Sequence, residues 1–316
     1  MLITHTWRVV VLVAAVALVA GCDRTNGSTT AATATSSAAS PAPTAQSYVA
    51  LGDSYTAAAG VPTQTGTPAG CLRSDVNYPS LVARQLKLTS GTFSDVSCSG
   101  ATISDLTRAQ STDNGTNPAQ ISALSSATTL VTLGIGGNDV DFSGILERCS
   151  GMGLISNAIN SATGGDLAPC RSLYTSGGSD RIARKIQSAG DELAAALTTI
   201  HDKAPHARVL VVGYPDLLPS GGSACAELLS ITPGDLAFLN TEEVALNAEL
   251  KQRAEAAGDT YVDTYTPSQG HDACTASATR WLEPWLPANP SLPLHPNARG
   301  EQGMAAAVLS AVGALR

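Results

Sequence analysis

The chain has 316 residues, 43% of them hydrophobic, and its formal net charge is −8 at pH 7. Its 18 Lys and Arg residues form no cluster. This balance argues against a nucleic-acid-binding protein and against tight adhesion to anionic lipid.

A short apolar run lies close to the N-terminus. The segment VVVLVAAVALVA, residues 9–20, follows Arg8 and is too short to cross a bilayer, but it has the length of a signal-peptide core. It ends in VAGC, residues 19–22, where small residues precede a cysteine as in a bacterial lipobox. We therefore predict a lipoprotein signal peptide over residues 1–21 and lipidation of Cys22. The alternative is an ordinary secretory signal that happens to contain a cysteine.

The next segment has a composition that cannot form a core. Residues 25–45 contain only Thr, Asn, Gly, Ser, Ala and Pro, so residues 22–46 are predicted to be a flexible tether. The folded part then covers residues 47–316, which suits one domain because no second linker and no internal repeat follows. The expected location is extracytoplasmic, with the protein anchored by its lipid to the outer face of the cell membrane, or secreted.

Six further cysteines lie in the predicted domain. Outside the cytoplasm such residues persist as disulfides, and no CxxC or HxxxH spacing supports a metal site instead. Several pairings are possible. We expect sequential pairs, because each then closes a loop on one side of a sheet: Cys71–Cys98, Cys149–Cys170 and Cys225–Cys274.

Strands and helices alternate along the domain. Segments that are apolar on both faces predict buried parallel strands at 47–52, 128–134, 207–213 and 260–265, with a weaker one at 91–97. Helical periodicity covers 181–203 and 233–257, and residues 295–315 form a last helix with Pro296 in its first turn. The pattern predicts a three-layer α/β/α sandwich with a mostly parallel sheet.

Chemically useful residues follow three of these strands. Ligand sites in open α/β sheets gather beyond the carboxyl ends of the strands. The first strand ends in Gly52-Asp53-Ser54, the weak strand in residues 97–100, and the third in residues 134–139. A serine on a strand-to-helix turn is suited to nucleophilic attack, although Gly, Asp and Ser are also ordinary turn formers.

Two residues near the other strand ends can donate hydrogen bonds to an oxyanion. Gly100 offers a backbone N–H and Asn138 a side-chain amide, although both are also typical turn residues. The segment GIGGND, residues 134–139, is not a dinucleotide-binding loop, because G-x-G-x-x-G would need a glycine at Asp139.

Of the four histidines after the signal peptide, two follow the last strand. His201 and His206 belong at the opposite edge of the sheet, whereas His271 and His295 can reach the predicted site. His271 stands beside Cys274 and is interpreted as structural. His295 precedes a proline at a helix start, which fixes its backbone, and it is the predicted general base.

Four segments in this order are similar to the blocks of a known family. They are GDSYTAAAG, SCSGAT, GIGGND and HPNARG, and with them the chain resembles the SGNH (GDSL-type) serine hydrolases over residues 48–300. Three disulfides and the HPNARG block are most similar to secreted actinomycete lipases and esterases. The resemblance implies a flavodoxin-like sandwich, no cofactor, Ser54 as nucleophile, His295 as base, and an oxyanion hole formed by the Ser54 N–H, Gly100 and Asn138.

One position departs from the family pattern. An aspartate usually lies three residues before the histidine, where this chain has Leu292. The imidazole still needs an acceptor at Nδ1. We expect the backbone carbonyl of Leu292 to serve, since Pro293 holds that residue extended. Asp272 and Glu283 are the alternatives.

The predicted activity is hydrolysis of a small-molecule or lipid acyl ester through an acyl-enzyme, by a monomer without cofactor or metal. An acyltransferase acting on envelope glycans or lipids, and a non-catalytic binding lipoprotein on the same fold, are the other interpretations. The apolar residues upstream of His295 have two open interpretations, an acyl pocket or core packing: Trp281, Leu282, Trp285 and Leu286.

Overall fold

The computed structural model describes residues 47–314, so the predicted signal peptide, Cys22 and the tether lie outside the described residues. In chain order the strands are β1 (Tyr48–Gly52), β2 (Gln64–Thr65), β3 (Arg73–Ser74), β4 (Phe93–Asp95), β5 (Gln110–Thr112), β6 (Gly115–Asn117), β7 (Leu130–Gly134), β8 (Arg208–Val212) and β9 (Thr260–Val262).

The helices are α1 (Ser54–Ala57), α2 (Tyr78–Gln85), α3 (Ser104–Thr107), α4 (Gly137–Val140), α5 (Phe142–Thr163), α6 (Pro169–Thr175), α7 (Arg181–Lys203), α8 (Ser223–Leu229), α9 (Pro233–Ala256), α10 (Tyr265–Ser268) and α11 (Ala298–Ala314). Two short 3₁₀ turns, Ala69–Cys71 and Gln120–Ala123, lie between them.

The main sheet has the strand order β4-β1-β7-β8-β9, and every pair in it is parallel. This is the flavodoxin-like order, in which successive strands are added on one side of β1 (β4) and then on the other (β7, β8, β9), so that the strand order switches between β1 and β7. Two small antiparallel ribbons, β2-β3 and β5-β6, lie outside the sheet. The predicted parallel sandwich is confirmed, including its weakest strand, β4.

Alternate residues of the central strands enter two separate cores, because successive side chains of a strand point to opposite faces. Val49, Leu51 and Val131 pack on one face, with α5, α7 and α9. Tyr48 and Leu130 pack on the other, with α2 and α11. Both faces are therefore covered, which explains why the strands are apolar without alternation.

The last helix begins later than predicted. It starts at Ala298, and the Asn297 side chain accepts hydrogen bonds from the N–H groups of Arg299 and Gly300 at 2.9 and 3.2 Å. Pro296 instead forms an isolated bridge with Leu282, before the helix. The prediction of Pro296 in the first turn is wrong, because an asparagine cap takes the helix start.

The structure pairs the six cysteines sequentially, as expected: Cys71–Cys98, Cys149–Cys170 and Cys225–Cys274. Each bridge ties together segments that follow strands of the main sheet. Among the described residues, none of the helices is both long enough and apolar enough to cross a membrane.

Candidate active site

Ser54 lies on the turn between β1 and α1. Gly52 adopts a φ of +153°, and a Cβ there would lie 2.2 Å from the Thr56 hydroxyl and 2.6 Å from the Gly134 carbonyl oxygen, so only glycine fits. Asp53 caps α1 by accepting a hydrogen bond from the Tyr55 N–H at 2.9 Å. The turn therefore presents Ser54 at the carboxyl edge of the sheet.

His295 reaches Ser54 from the segment before α11, 241 residues further along the chain. Its Nε2 lies 2.7 Å from the Ser54 Oγ, and its Nδ1 lies 2.7 Å from the Pro293 carbonyl oxygen. A carbonyl oxygen can only accept, so Nδ1 carries the proton and Nε2 is left to accept the serine proton. This is the tautomer that a general base requires.

The expectation that the Leu292 carbonyl orients His295 is wrong by one residue. Residues 292–295 form a tight turn in which the Leu292 carbonyl accepts a hydrogen bond from the His295 backbone N–H at 3.3 Å. Leu294, with a φ of +64°, reverses the chain within that turn. The ring is thereby directed back to the Pro293 carbonyl.

The two carboxylates considered as alternatives are engaged elsewhere in the described chain. Glu283 is fully buried and accepts hydrogen bonds from the side chains of Asn289 and Asn297 at 2.7 and 2.6 Å. Burial raises its pKa, but these hydrogen bonds outweigh burial and hold the pKa below its ordinary value. Asp272 accepts from the Cys274 N–H at 2.7 Å. Neither carboxylate has a hydrogen bond to the His295 ring among the described contacts.

Glu283 still supports the histidine through its backbone. Its N–H donates to the His295 carbonyl oxygen, and its carbonyl oxygen accepts from the Leu294 N–H, both at 3.0 Å. The carboxylate also binds Asn297, the cap of α11. Glu283 is therefore a structural residue of the histidine segment.

Tyr55, directly after Ser54, packs against the ring of His295. The two ring centroids lie 4.9 Å apart, and the Tyr55 hydroxyl donates to the Leu294 carbonyl oxygen at 2.5 Å. The turn that carries Ser54 and the segment that carries His295 are thus joined by a second contact besides the Ser54–His295 hydrogen bond.

The expected oxyanion donors lie on neighbouring loops. The Asn138 Nδ2 donates to the Ala101 carbonyl oxygen at 2.8 Å, which fixes the amide and leaves its second N–H available. In the described chain, the N–H groups of Ser54 and Gly100 have no acceptor within the protein. Asn138 lines the same pocket as Ser54, whereas Gly100 is exposed and lies outside the pocket wall.

Tyr214 connects the turn that carries Ser54 to the short helix α4, which carries Asn138. It directly follows the strand end at Gly213, and its hydroxyl donates to the buried Asp53 carboxylate while accepting from the Gly137 N–H at 2.8 Å. The Asn247 side chain fixes the Tyr214 backbone on both sides, at 2.8 and 2.9 Å.

The pocket beside Ser54 and His295 is mainly apolar. Its far wall is formed by Phe142, Leu146, Leu217 and Leu246, together with the buried carboxyl of Glu243. Glu243 accepts hydrogen bonds from the Leu217 and Leu218 N–H groups at 2.8 and 3.2 Å. A pocket of this kind suits the hydrocarbon part of an acyl group.

Burial changes the titration of the residues around Ser54. It lowers the pKa of His295 against the opposing effect of the Pro293 carbonyl, so the imidazole is neutral at neutral pH and can accept a proton. It raises the pKa of Asp53 to about 7, although the hydrogen bonds from Tyr214 and Tyr55 counteract it. Burial also raises the pKa of Glu243 well above its usual range.

No cluster of three or more His, Cys, Asp or Glu residues that could hold a metal ion occurs in residues 47–314.

The sequence model of the GDSL-like Lipase/Acylhydrolase family matches residues 50–302 of this chain, a range that includes every residue of this site. The chain belongs to this family. It is a carboxylic ester hydrolase, which confirms the sequence-based prediction of the family and of the enzyme class.

The hydrolase has similar relatives in Streptomyces. It is 39% identical to Lipase 2 of Streptomyces coelicolor over 286 residues, which are 90% of this chain and 91% of that one. The crystal structure of phospholipase A1 from Streptomyces albidoflavus superposes with a TM-score of 0.66 at 29% identity, over 84% of this chain and 99% of that one. The extracellular lipase of Streptomyces rimosus superposes with a TM-score of 0.68 at 28% identity, over 84% and 100%.

Sequence reasoning missed three residues of the hydrolase site. Tyr55 and Tyr214 each follow a strand end, and a polar aromatic residue at that place is the signal that could have indicated them. The third, Gln120, pairs its side-chain amide with both backbone groups of Gly52 at 2.8 and 2.9 Å. It stands in a 3₁₀ turn, and nothing in the local sequence distinguishes it.

The contacts of His271 and of the apolar segment 281–286 indicate the roles of these residues. His271 stacks on Trp281 and its Nδ1 lies 2.7 Å from the Thr279 carbonyl oxygen, consistent with the structural role predicted for it. Leu282 is fully buried in the core. Trp285 and Leu286 are different, because they line a surface groove.

Proposed function

We propose that the hydrolase cleaves acyl esters through a Ser54–His295 dyad and an acyl-enzyme. The observation that carries this proposal is the continuous pair of 2.7 Å contacts from the Ser54 Oγ through the imidazole to the Pro293 carbonyl oxygen. A main-chain carbonyl takes the place of the aspartate in a triad, and it holds the proton on Nδ1 throughout.

In the first half-reaction, the Ser54 Oγ attacks the ester carbonyl carbon as its proton passes to the His295 Nε2. The resulting oxyanion accepts hydrogen bonds from the N–H groups of Ser54 and Gly100 and from the Asn138 Nδ2. When the tetrahedral intermediate collapses, the alkoxide leaves and takes the proton from Nε2, which leaves Ser54 acylated.

In the second half-reaction, a water molecule gives a proton to Nε2 and attacks the acyl carbon. Collapse releases the carboxylic acid and returns the proton to the Ser54 oxygen. The imidazolium formed in each half has no carboxylate partner, so the neutral Pro293 carbonyl dipole stabilises it less than an aspartate would.

The test is Ser54→Ala in the purified protein, with p-nitrophenyl butyrate as substrate and a fluorophosphonate as active-site label. We expect kcat/KM to fall by at least ~10³-fold and labelling to disappear, since the nucleophile is removed. Ser80→Ala, at a half-buried serine on α2, is the matched control and keeps both. Near-full activity of Ser54→Ala would disprove the mechanism, and an ester product formed with added alcohol would indicate a transferase.

We also propose that the hydrolase acts outside the cytoplasm, anchored to the outer face of the membrane through a lipid on Cys22. The VAGC segment, the three disulfides and the similarity to an extracellular lipase support this location. The Cys22→Ser variant is expected to leave the membrane fraction for the medium with its activity intact. Equal distribution of both proteins would contradict anchoring.

A further inference from the structure

A groove lies beside the catalytic pocket along the same helix. It has a volume of about 420 Å³ and is open to solvent. Its walls are Glu147, Ser150, Gly151 and Leu154 of α5, Leu228 and Ser230 at the end of α8, and Trp285 and Leu286 of the segment before His295.

The helix α5 connects the two spaces. Phe142 and Leu146 face the catalytic pocket, and Ser150 and Leu154 face the groove. Positions four apart are neighbours on a helix surface, so these four residues form a continuous ridge that winds about 120° around α5 from Phe142 to Leu154. The rise per residue places Leu154 about 12 Å beyond Leu146 along that ridge.

Large apolar side chains are left exposed in the groove. Leu286 is 87% exposed, Leu154 64% and Leu228 46%, and the three converge on one concavity. Single exposed leucines are common in soluble proteins, but a converging set beside an active site indicates a binding surface.

The walls are fixed before any ligand arrives. The Trp285 Nε1–H donates to the Ser150 Oγ at 3.0 Å, and that hydroxyl donates to the Leu229 carbonyl oxygen at 2.8 Å. The indole, α5 and the end of α8 are therefore held together by hydrogen bonds that also satisfy the indole N–H and the Ser150 hydroxyl.

The charge of the groove selects the kind of ligand. Its one ionisable wall residue is Glu147, which is exposed and turns to solvent, and the wall contains no Lys or Arg. Such a wall offers no positive charge to a phosphate or other anionic headgroup, whereas its leucines and indole suit an aliphatic chain.

We propose that this groove is the outer subsite for the acyl chain of the ester, occupied by the part of a medium or long chain that extends past Leu146. The inference rests on the proposed function, because the chain reaches the groove only when its carbonyl lies at Ser54. Short acyl groups end inside the catalytic pocket, and longer ones gain contacts with Leu154, Trp285 and Leu286.

The measurement is the ratio of kcat/KM for p-nitrophenyl decanoate to that for p-nitrophenyl butyrate, with both esters kept monomeric. Full burial of one methylene group corresponds to about a fourfold gain in kcat/KM. In a groove that is open on one side, we expect a gain of about twofold for each methylene. Loss of about three such contacts lowers the ratio roughly eightfold, mainly through KM for the decanoate.

Two variants act on the groove in different ways. Leu154→Gln removes an apolar wall but keeps a good helix former. Gly151→Phe fills the groove, and a Cβ at Gly151 meets nothing within 4 Å, so the helix accepts the side chain. The matched control is Ile155→Gln, which changes an equally exposed neighbour, 71% exposed, that does not line the groove.

We expect both groove variants to lower the decanoate-to-butyrate ratio and the control to keep it. An unchanged ratio in Leu154→Gln and Gly151→Phe, with melting temperatures like that of the parent, would overturn the subsite. If all three variants kept the ratio but lost activity on emulsified tributyrin, the surface would bind a lipid interface instead. Absence of any activity in the parent protein would contradict the proposed function rather than the groove.

Discussion

The Tyr214 hydroxyl makes two hydrogen bonds that hold the loops of the site together, and removing it tests their contribution to stability and catalysis. It donates to the Asp53 carboxylate, next to Ser54, and accepts from the Gly137 N–H, next to Asn138. Tyr214→Phe keeps the ring, which packs edge-on against Tyr55 with centroids 5.1 Å apart, and removes only these two hydrogen bonds.

The cost follows from the burial of the two partners. Asp53 is 2% exposed, so its carboxylate oxygen loses a donor where water does not easily replace it, and the Gly137 N–H loses its acceptor. The buried carboxylate of Asp53 costs about 1–3 kcal/mol and the half-buried Gly137 N–H about 1 kcal/mol, so the free energy of unfolding should fall by about 2–4 kcal/mol. For a domain of this size that corresponds to a melting temperature lower by roughly 5–10 °C.

Catalysis should suffer as well as stability. Without the Tyr214 hydroxyl, the pKa of Asp53 rises further above about 7, because a hydrogen bond that lowers it is lost. Asn138 is also less firmly placed, so we expect kcat to fall about tenfold or more with little change in KM.

The matched control is Tyr48→Phe, which removes a buried hydroxyl from the opposite core, where it lies 2.8 Å from the Thr132 Oγ1. Loss of one neutral pair should cost only about 0.5–1.5 kcal/mol and leave kcat unchanged. The assays are urea unfolding with the disulfides intact and steady-state hydrolysis of p-nitrophenyl butyrate. Equal stability losses in the two variants together with parental kcat in Tyr214→Phe would refute the reasoning.

Three other predictions concern the histidine and its segment. The acid limb of kcat/KM should have its midpoint below the usual 6.5 of histidine, because burial lowers the pKa of His295 and the base therefore stays neutral to lower pH; a pH–rate profile measures this. Gly60→Ala should lower kcat/KM about tenfold or more, measured on the butyrate ester, because at a φ of +86° its Cβ would lie 2.5 Å from the backbone of the segment that carries His295. Asp272→Asn and Glu283→Gln should leave that acid limb in place, although Glu283→Gln should lower the melting temperature, because an amide cannot accept all the hydrogen bonds of the carboxylate.

Each of these has an outcome that would contradict it. An acid limb with its midpoint near 7 would report Asp53 rather than His295. For Gly60, the control is Gly258→Ala, which has a similar φ of +81° but nothing within 4 Å of the added Cβ, so equal losses in both variants would point to backbone strain alone. A loss of up to ~10⁴-fold in a folded Asp272→Asn or Glu283→Gln variant would show that a carboxylate orients the imidazole.

The sequence predicted the layers of the fold and most of the candidate site from local patterns. Strands buried on both faces read as continuous apolar runs, and in a parallel sheet their carboxyl ends meet at one edge. The positions of the motifs after the strands were therefore enough to predict that Ser54, Asn138 and His295 lie close together. The sequential pairing of the cysteines was also predicted, although the loops closed by Cys71–Cys98 and Cys225–Cys274 each include a strand of the main sheet, β4 and β9.

The sequence-based predictions were wrong at two places where a single turn decides the direction of the backbone. Pro296 is a suitable residue for a first helical turn, yet Asn297 caps the helix instead, because its side chain satisfies two free N–H groups. The carbonyl at Nδ1 belongs to Pro293 and not to Leu292, because Leu294 adopts a left-handed conformation that turns the ring back by one residue. Such a conformation is rare for leucine, so it could not be predicted from the local sequence.

The sequence by itself determined which residues the proposed mechanism uses: a serine, a histidine, an amide and glycines at the ends of predicted strands. The tertiary structure alone decided how they are held, through Tyr55 against the imidazole, Tyr214 between Asp53 and Gly137, and Gln120 on Gly52. It also decided that Leu286 lines a groove, and that Trp285 lines the same groove while packing against the core. The physical reason is that strand and helix patterns arise from interactions between near neighbours in the chain. These supporting contacts join residues tens to hundreds of positions apart, and their geometry exists only once the sheet has brought the loops together.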